Sequence, residues 1–364
     1  SIWTQQNVNR SVAVGTTSGD VIVVDPAGAE KWSVRLKTPV TALSFTNDDL
    51  LAGTESGQVV RFDAQGQVVW SDDCQFRSER DFWPWWFLPT PRIGALAYGK
   101  DAATGHCVVA AGTGSTSLNF LDGDTGALLA DVVSPYGLPD RIQSHASSTG
   151  EVRFFEGHSW LTCGSSIRAW QMPSHASATA VASATPDDQP AISYSDSLDD
   201  MGRSTGGWDT CGVVDFWVGR LEPQSPLVVI VLRHGAVNQL TAYQEETGEP
   251  LWDIGVGGSP VELAVVPGQD TAAARCYVAE QFGWLTTVDG RGQRVTATRI
   301  DTSLTGMSIR GDHLLLWNHD RLYLANDTGR QAVDLEGAPL GWFDGDGVAG
   351  MLCRQSNMLV LGTI

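Results

Sequence analysis

Adjacent cysteines, CxxC pairs and metal-ligand cysteine spacings are all missing from this 364-residue sequence, although it has six cysteines. Cysteine-based metal sites are thereby excluded. Lysine is almost absent, with Lys31, Lys37 and Lys100 the only three. Basic residues number 23 against 42 acidic ones, for a net charge of −19. That balance argues against nucleic acid and against anionic membrane surfaces as partners. No apolar run approaches the roughly 18 residues a membrane-spanning helix requires, so no membrane span is expected. No Ser-His-Asp order, phosphate-binding loop or HExxH is present. The chain opens at Ser1 without Met or a leader, which is expected to reflect processing or trimming.

What is present is a repeat. Residues 15–32 read GTTSGDVIVVDPAGAEKW and residues 53–70 read GTESGQVVRFDAQGQVVW. Gly15, Thr16, Ser18, Gly19, Val21, Asp25, Gly28 and Trp32 recur at an offset of 38 as Gly53, Thr54, Ser56, Gly57, Val59, Asp63, Gly66 and Trp70. A fixed period of this size marks a repeat architecture. Short β-branched runs bounded by Gly, Ser, Asp and Pro read as strands. Ser18-Gly19 and Ser56-Gly57 supply the positive-φ positions of tight hairpins, and Gly28 and Gly66 the next corner. With Thr38–Phe45 as a further strand, each unit holds four antiparallel strands in about 40–50 residues, one blade of a β-propeller.

The pattern GT-x-x-G-x-V-x-x-x-D-x-x-G-x-x-x-W resembles the repeats of PQQ-like, quinoprotein-type propellers. The resemblance implies blades whose strands run outward from a central axis, with the last Trp packed between neighbours. Trp32, Trp70 and Trp252 are therefore expected to be structural. Copies recur at 11–36, 40–70, 93–126, 152–170, 213–252, 261–300, 307–335 and 342–361. Eight hairpins favour an all-β, eight-bladed propeller over seven blades, a single domain over 1–364. The last copy stops after two hairpin strands. Closure of the ring by the N-terminal strand around Ile2-Trp3 is expected, although Ile2–Thr4 reads equally as the inner strand of blade one. The pattern fails across 71–92, 131–150 and 173–211, and these three insertions are expected on one face, where strand-two-to-three turns and interblade connections emerge together. Cys107, Cys163, Cys276 and Cys353 read as buried thiols of second strands; Cys74 and Cys211 form the one candidate pair.

The insertions carry the candidate site. Asp81-Phe82-Trp83-Pro84-Trp85-Trp86-Phe87 places three tryptophans in four positions, too many for a short loop to bury. Exposed Trp faces suit sugar-ring stacking and cation contacts; a hydrophobic plug over the ring's mouth is the alternative. Arg77, Arg80, Arg141 and Arg203 come from three insertions and would pair with a carboxylate or sulfate, or else form surface salt bridges to Asp81, Asp199, Asp200 and Asp209. Trp208 and His319 complete the ligand-binding set. His145, His234 and Tyr136 are the candidate catalytic groups, with Tyr194 nearby in type. The turns Arg233-His234-Gly235, Gln281-Phe282-Gly283, Asn318-His319-Asp320 and Arg354–Asn357 are expected to ring the same face with polar groups.

Quinoprotein dehydrogenases of the resembled class carry an adjacent Cys pair beside the cofactor. None exists here, and no PQQ is expected. Phe343-Asp344-Gly345-Asp346-Gly347 resembles the end of an Asp-rich calcium loop, but Trp342 holds the place of the leading Asp and no Glu follows. The functional expectation is a secreted or periplasmic carbohydrate-directed propeller, acting as a lyase on a uronic-acid-containing poly- or oligosaccharide. Arg would neutralise the carboxylate, His remove the adjacent proton and Tyr protonate the leaving oxygen. The alternative is a non-catalytic interaction module, as in outer-membrane assembly propellers, that docks a protein partner on its loop-rich face. A redox quinoprotein, which would be coloured, is the third reading.

Overall fold

The repeated residues close two kinds of corner. Val12–Thr16 and Asp20–Val24 pair antiparallel across a turn in which Gly19 has φ 91°. Thr16 Oγ1 accepts the Asp20 N–H at 2.9 Å, and Thr54 Oγ1 accepts the Gln58 N–H at 3.0 Å in the second copy. At the next corner the Asp of the repeat caps the turn. Asp63 Oδ1 accepts the N–H groups of Gln65 and Gln67 at 2.9 and 2.8 Å, and Asp289 Oδ1 those of Arg291 and Gln293 at 3.0 and 2.8 Å.

The computed structural model describes residues 2–6, 11–25, 29–46, 49–74, 92–100, 104–113, 117–133, 139–146, 152–158, 167–171, 192–194, 212–235, 237–310, 313–326, 329–334, 338–345, 348–355 and 358–363. Among these residues there are eight antiparallel sheets, spanning 2–35, 40–73, 93–133, 139–194, 212–255, 260–299, 306–334 and 338–363. The first seven have four strands each and the eighth has three, Ala338–Gly345, Val348–Gln355 and Met358–Thr363. Within each sheet the strands follow one another in chain order, as in a β-propeller.

Consecutive sheets are stitched along their first strands. Ser144 Oγ, in Pro139–Ala146, donates to Tyr98 O of Ile93–Lys100 at 2.5 Å, and Gln143 Nε2 donates to Phe216 O of Gly212–Arg220 at 3.0 Å. Asp215 accepts the Leu263 N–H at 3.0 Å and Glu262 the Met307 N–H at 2.6 Å. Partners sit at matching positions of their strands, so these first strands run parallel and in step. Register shifts near the strand starts, at Val40/Ala42, Val213/Asp215 and Pro260/Glu262, accompany side chains that reach the next sheet.

One apolar layer fills each gap between consecutive sheets from the first to the seventh. Stability is thus built from nearest-neighbour contacts, as in repeat proteins generally. The tryptophans in the fourth strands of the first, second and fifth sheets latch those sheets to the next. Trp70 Nε1 donates to Gly123 O at 2.9 Å and Trp252 Nε1 to Gly290 O at 3.0 Å. The Trp32, Trp70 and Trp252 rings lie so close to Gly66, Gly126 and Gly292 that a Cβ there would fall 2.7 Å from ring carbons. Trp32 also meets Phe62 at 5.6 Å between ring centroids.

Three expectations are corrected. Ile2–Gln6 pairs with Val12–Thr16 as the first strand of the first sheet and does not complete the last one. A hairpin to a segment a few residues away closes at less entropic cost than pairing across the whole chain. The insertion expected at 131–150 is largely strand: Leu128–Val133 ends the third sheet and Pro139–Ala146 begins the fourth. That first strand, PDRIQSHA, lacks an apolar alternation because Gln143 and Ser144 spend their side chains on hydrogen bonds to the flanking sheets. Likewise Ile192–Tyr194, inside the insertion expected at 173–211, is the fourth strand of the fourth sheet. Cys107 and Cys276 lie buried on second strands, and Cys74 is buried beside Trp70 and Ile93. Cys163 and Cys211 lie outside the described residues.

Candidate functional site

Because strands alternate in direction, each turn between second and third strands shares a rim with the connection leaving the fourth strand. Backbone hydrogen bonds tie the two together. Leu36, Cys74, Val256 and Ile300 donate to the carbonyls of Gly19, Gly57, Asn238 and Gly283 at 2.8, 2.9, 2.9 and 2.7 Å. Between sheets the lacing continues, from Gln281 N–H to Ser259 O at 2.7 Å and from Leu304 N–H to Gln281 O at 3.2 Å. Sheets five to seven therefore present one hydrogen-bonded strip of turns and connections.

That strip is apolar at its middle. Val237, Phe282 and Trp284 are 69%, 59% and 39% exposed, in the turns of sheets five and six and at the head of Trp284–Asp289. Large apolar side chains raised together on a rigid rim mark an interaction surface more often than a chemical one. The polar ring expected here is only partly present. Arg233 is buried, with its guanidinium 2.8 Å from Tyr243 Oη, 3.2 Å from Thr241 Oγ1 and 5.4 Å from the Tyr243 ring centroid. His234 is exposed, its Nδ1 2.7 Å from Asn238 Oδ1. Since that oxygen also accepts the Gly235 N–H at 3.3 Å, Nδ1 is the donor. His319 is exposed in the corresponding turn of the seventh sheet, where Asn318 Oδ1 accepts the Asp320 and Arg321 N–H groups at 2.9 and 2.8 Å.

Two carboxyl groups of the strip have opposite displacements. Burial pushes the Glu280 carboxyl above the usual carboxylate range, partly offset by the Thr286 hydroxyl donating to it at 2.8 Å. Asp301 is held low, chiefly by the hydrogen bond from Tyr323, with Asn318 Nδ2 also donating to it at 2.7 Å. A carboxyl raised in the folded state contributes its stability below its unfolded pKa and loses it as pH rises through the folded value. Glu280→Gln keeps an acceptor for Thr286 and removes the buried charge. Thermal unfolding of this variant at pH 7 is expected at or above the wild-type temperature, with the wild type catching up as pH falls through the carboxylate range. A lower melting temperature at pH 7 would contradict this.

The sequence-predicted site residues do not converge among the described residues. His145 is the seventh residue of Pro139–Ala146 and pairs with Arg153, beside the turn to the second strand. His234 pairs with Gly212, the first residue of its sheet's first strand. With the first strands parallel and in step, His145 and His234 lie at opposite rims, separated by about 20 Å of strand. Arg141, third in the same strand, lies toward the connection rim, as does Tyr194 at the end of Ile192–Tyr194. Tyr136, Arg77, Arg80, Trp83, Trp85, Trp86, Arg203 and Trp208 lie outside the described residues. The segments 75–91 and 195–211 start and end at the connection rim, whereas 172–191 joins Gln171 to Ile192 at the other rim. Those segments themselves lie outside the described residues, and with them the expectation that all insertions share one face. The sequence places the turn Gln281-Phe282-Gly283 on this face among polar groups and Trp284 in a strand; the apolar character of both on the rim is what the structure adds.

Among the described residues no three His, Cys, Asp or Glu gather as a metal site. Asp344 lies in the strand Ala338–Gly345, and Asp346 lies outside the described residues. No described helix is long and apolar enough to cross a membrane.

Fold and repeat define the class: an all-β propeller of consecutive antiparallel sheets, with repeats similar to the PQQ-like type. Residues 7–137 match the family model described as outer membrane protein assembly factor BamB. A comparison with curated proteins found no match. Among solved structures, the computationally designed Ika8 protein superposes with a TM-score of 0.68 at 15% identity, over 99% of this chain and 95% of that one. BamB from Moraxella catarrhalis superposes with a TM-score of 0.49 at 17% identity, over 90% of this chain and 82% of that one.

Proposed function

We propose that this protein is a non-catalytic interaction propeller, eight blades closed into a ring, whose connection rim over sheets five to seven docks a polypeptide outside the cytoplasm. The observation that carries this reading is the exposed strip Val237, Phe282 and Trp284 on a rigid hydrogen-bonded rim. Ring closure is supported by the first strand Ile2–Gln6, which packs against both Val40–Thr46 and Ala338–Gly345. The match of residues 7–137 to an outer membrane assembly factor family agrees with a protein partner and a periplasmic setting. The net charge of −19 favours a basic partner. Elimination at a uronic acid draws no support from His145 and His234, which stand too far apart to serve one sugar ring.

An array of basic, aromatic-containing peptides tests the reading. Phe282→Ala/Trp284→Ala is expected to weaken the tightest peptides about tenfold or more, since central aromatic side chains dominate such interfaces. Release of unsaturated uronate from acidic glycans, seen by ultraviolet absorbance, would refute it. So would peptide binding indifferent to the double substitution.

A further inference from the structure

The fourth strand of the sixth sheet, Arg294–Arg299, differs from its counterparts. All six of its residues are exposed, so neither face is covered. In the first, second and fifth sheets, alternate residues of the fourth strand are turned against the next sheet, the latching tryptophans among them. Thr296 stands where those tryptophans stand, four residues after a corner glycine, as Trp70 follows Gly66 and Trp252 follows Gly248. A threonine there gives the strand little to bury. Among the described residues only Trp284–Asp289 pairs with it.

Its charge is reversed as well. The other six-residue fourth strands, EKWSVR, VVWSDD, LLADVV, PLWDIG and GRQAVD, each carry at least one acid, in keeping with the net charge of −19. RVTATR carries none, and it begins and ends on arginine. Arg291, in the corner just before it, is also exposed. Arg294 Nη2 donates to Gly255 O at 2.7 Å and Arg299 Nε to Asp301 O at 3.2 Å, contacts that orient the two guanidinium groups. Ile300 N–H donates to Gly283 O at 2.7 Å. By the alternation of an antiparallel pair, Thr298 faces Trp284–Asp289 in the same way, and Ala297 and Arg299 turn their N–H and C=O groups to the open side.

We infer that Arg294–Arg299 takes up an acidic, extended segment of another protein as an antiparallel fifth strand, with a carboxylate at each end to meet Arg294 and Arg299. Main-chain hydrogen bonds to Ala297 and Arg299 supply the binding and the two arginines the selectivity, as in other strand additions. Two copies of this edge would bring Arg294 opposite Arg299 and repel each other. The edge VVWSDD of a second copy fits less well, since Asp72 and Asp73 lie together at one end and would meet one arginine only. The inference does not rest on the Phe282 strip, whose expected partner is basic, and either surface can fail without the other.

The test uses the full chain at low salt and the synthetic peptide EVTVTD, with KVTVTK as its control. EVTVTD is expected to bind with a dissociation constant of about 100 μM or tighter, and less tightly as salt rises, while KVTVTK does not bind. Hydrogen exchange at the Ala297 and Arg299 amides should slow on binding, and the Thr298 amide, already paired, should change little. Ala297→Pro removes an outward N–H and no bond to Trp284–Asp289, so it should keep the wild-type melting temperature. Its affinity for EVTVTD should fall about tenfold or more. Arg294→Glu/Arg299→Glu should reject EVTVTD and take KVTVTK instead, and this charge swap decides the matter should Ala297→Pro unfold. Equal binding of the two peptides, protection elsewhere in the chain, or undiminished binding by a folded Ala297→Pro would overturn the inference. A dimer seen by light scattering with 294–299 protected without peptide would overturn it in favour of a second copy.

Discussion

Trp70→Ala is expected to lower the unfolding free energy by about 3–5 kcal/mol, the range for removing a large buried aromatic side chain. Trp70 is 7% exposed and lies between the second and third sheets, in one apolar layer with Leu51, Val59, Ile93 and Leu121. Its loss leaves a cavity against Gly126 and deprives Gly123 O of the indole N–H. Trp70→Phe keeps a six-membered ring but gives up the indole N–H and part of the packed surface, and should fall between alanine and wild type, at about 1–3 kcal/mol. The reciprocal change, Gly126→Ala, also destabilises, because φ there is 74° and the new Cβ would meet the Trp70 ring at 2.7 Å. Denaturant unfolding followed by circular dichroism is the measurement. A Trp70→Ala loss below about 1 kcal/mol would show that the latch does not hold the sheets together.

Asp215→Ala is expected to cost about 2–5 kcal/mol, although the side chain is small. Its two oxygens accept the Phe216 N–H at 2.9 Å and the Leu263 N–H at 3.0 Å, both buried, and the second belongs to the next sheet. Removing the carboxylate orphans both donors away from water, where each costs about 1–3 kcal/mol. Asp215→Asn retains one acceptor oxygen and should fall between alanine and wild type. The sharper readout is hydrogen exchange at the Leu263 amide, which should accelerate in Asp215→Ala beyond amides of the first and second sheets. Uniform acceleration throughout the chain would mean that the bond contributes only to global stability.

The propeller was legible because its strands and corners are local. Gly19, Asp63 and Trp70 each announce their role through residue type and a 38-residue recurrence, and the hydrogen bonds that satisfy them lie within one repeat or the next. The fourth sheet was not legible to the same degree. Pro139–Ala146 buries Ile142 and otherwise uses polar side chains as struts between sheets, so it carries no period-2 apolar signal. The site was legible least of all. His145 and His234 are equally plausible acid–base groups by type, and only the strand direction separates them. Phe282 and Trp284 sit in a strand-rich stretch whose neighbours Leu285 and Val288 are buried, so apolar residues there look like core.

Composition and spacing alone determined that this chain is a repeating all-β protein, acidic, and latched by glycine–tryptophan pairs, because those features are set by backbone conformation and contacts between adjacent repeats. Tertiary structure alone decided which rim each residue occupies and that Arg233 turns inward while Phe282 turns out. Side-chain placement of that kind depends on how strands count off from the axis. A shift of one residue in register or one strand in pairing reverses it without changing the residues that a sequence displays.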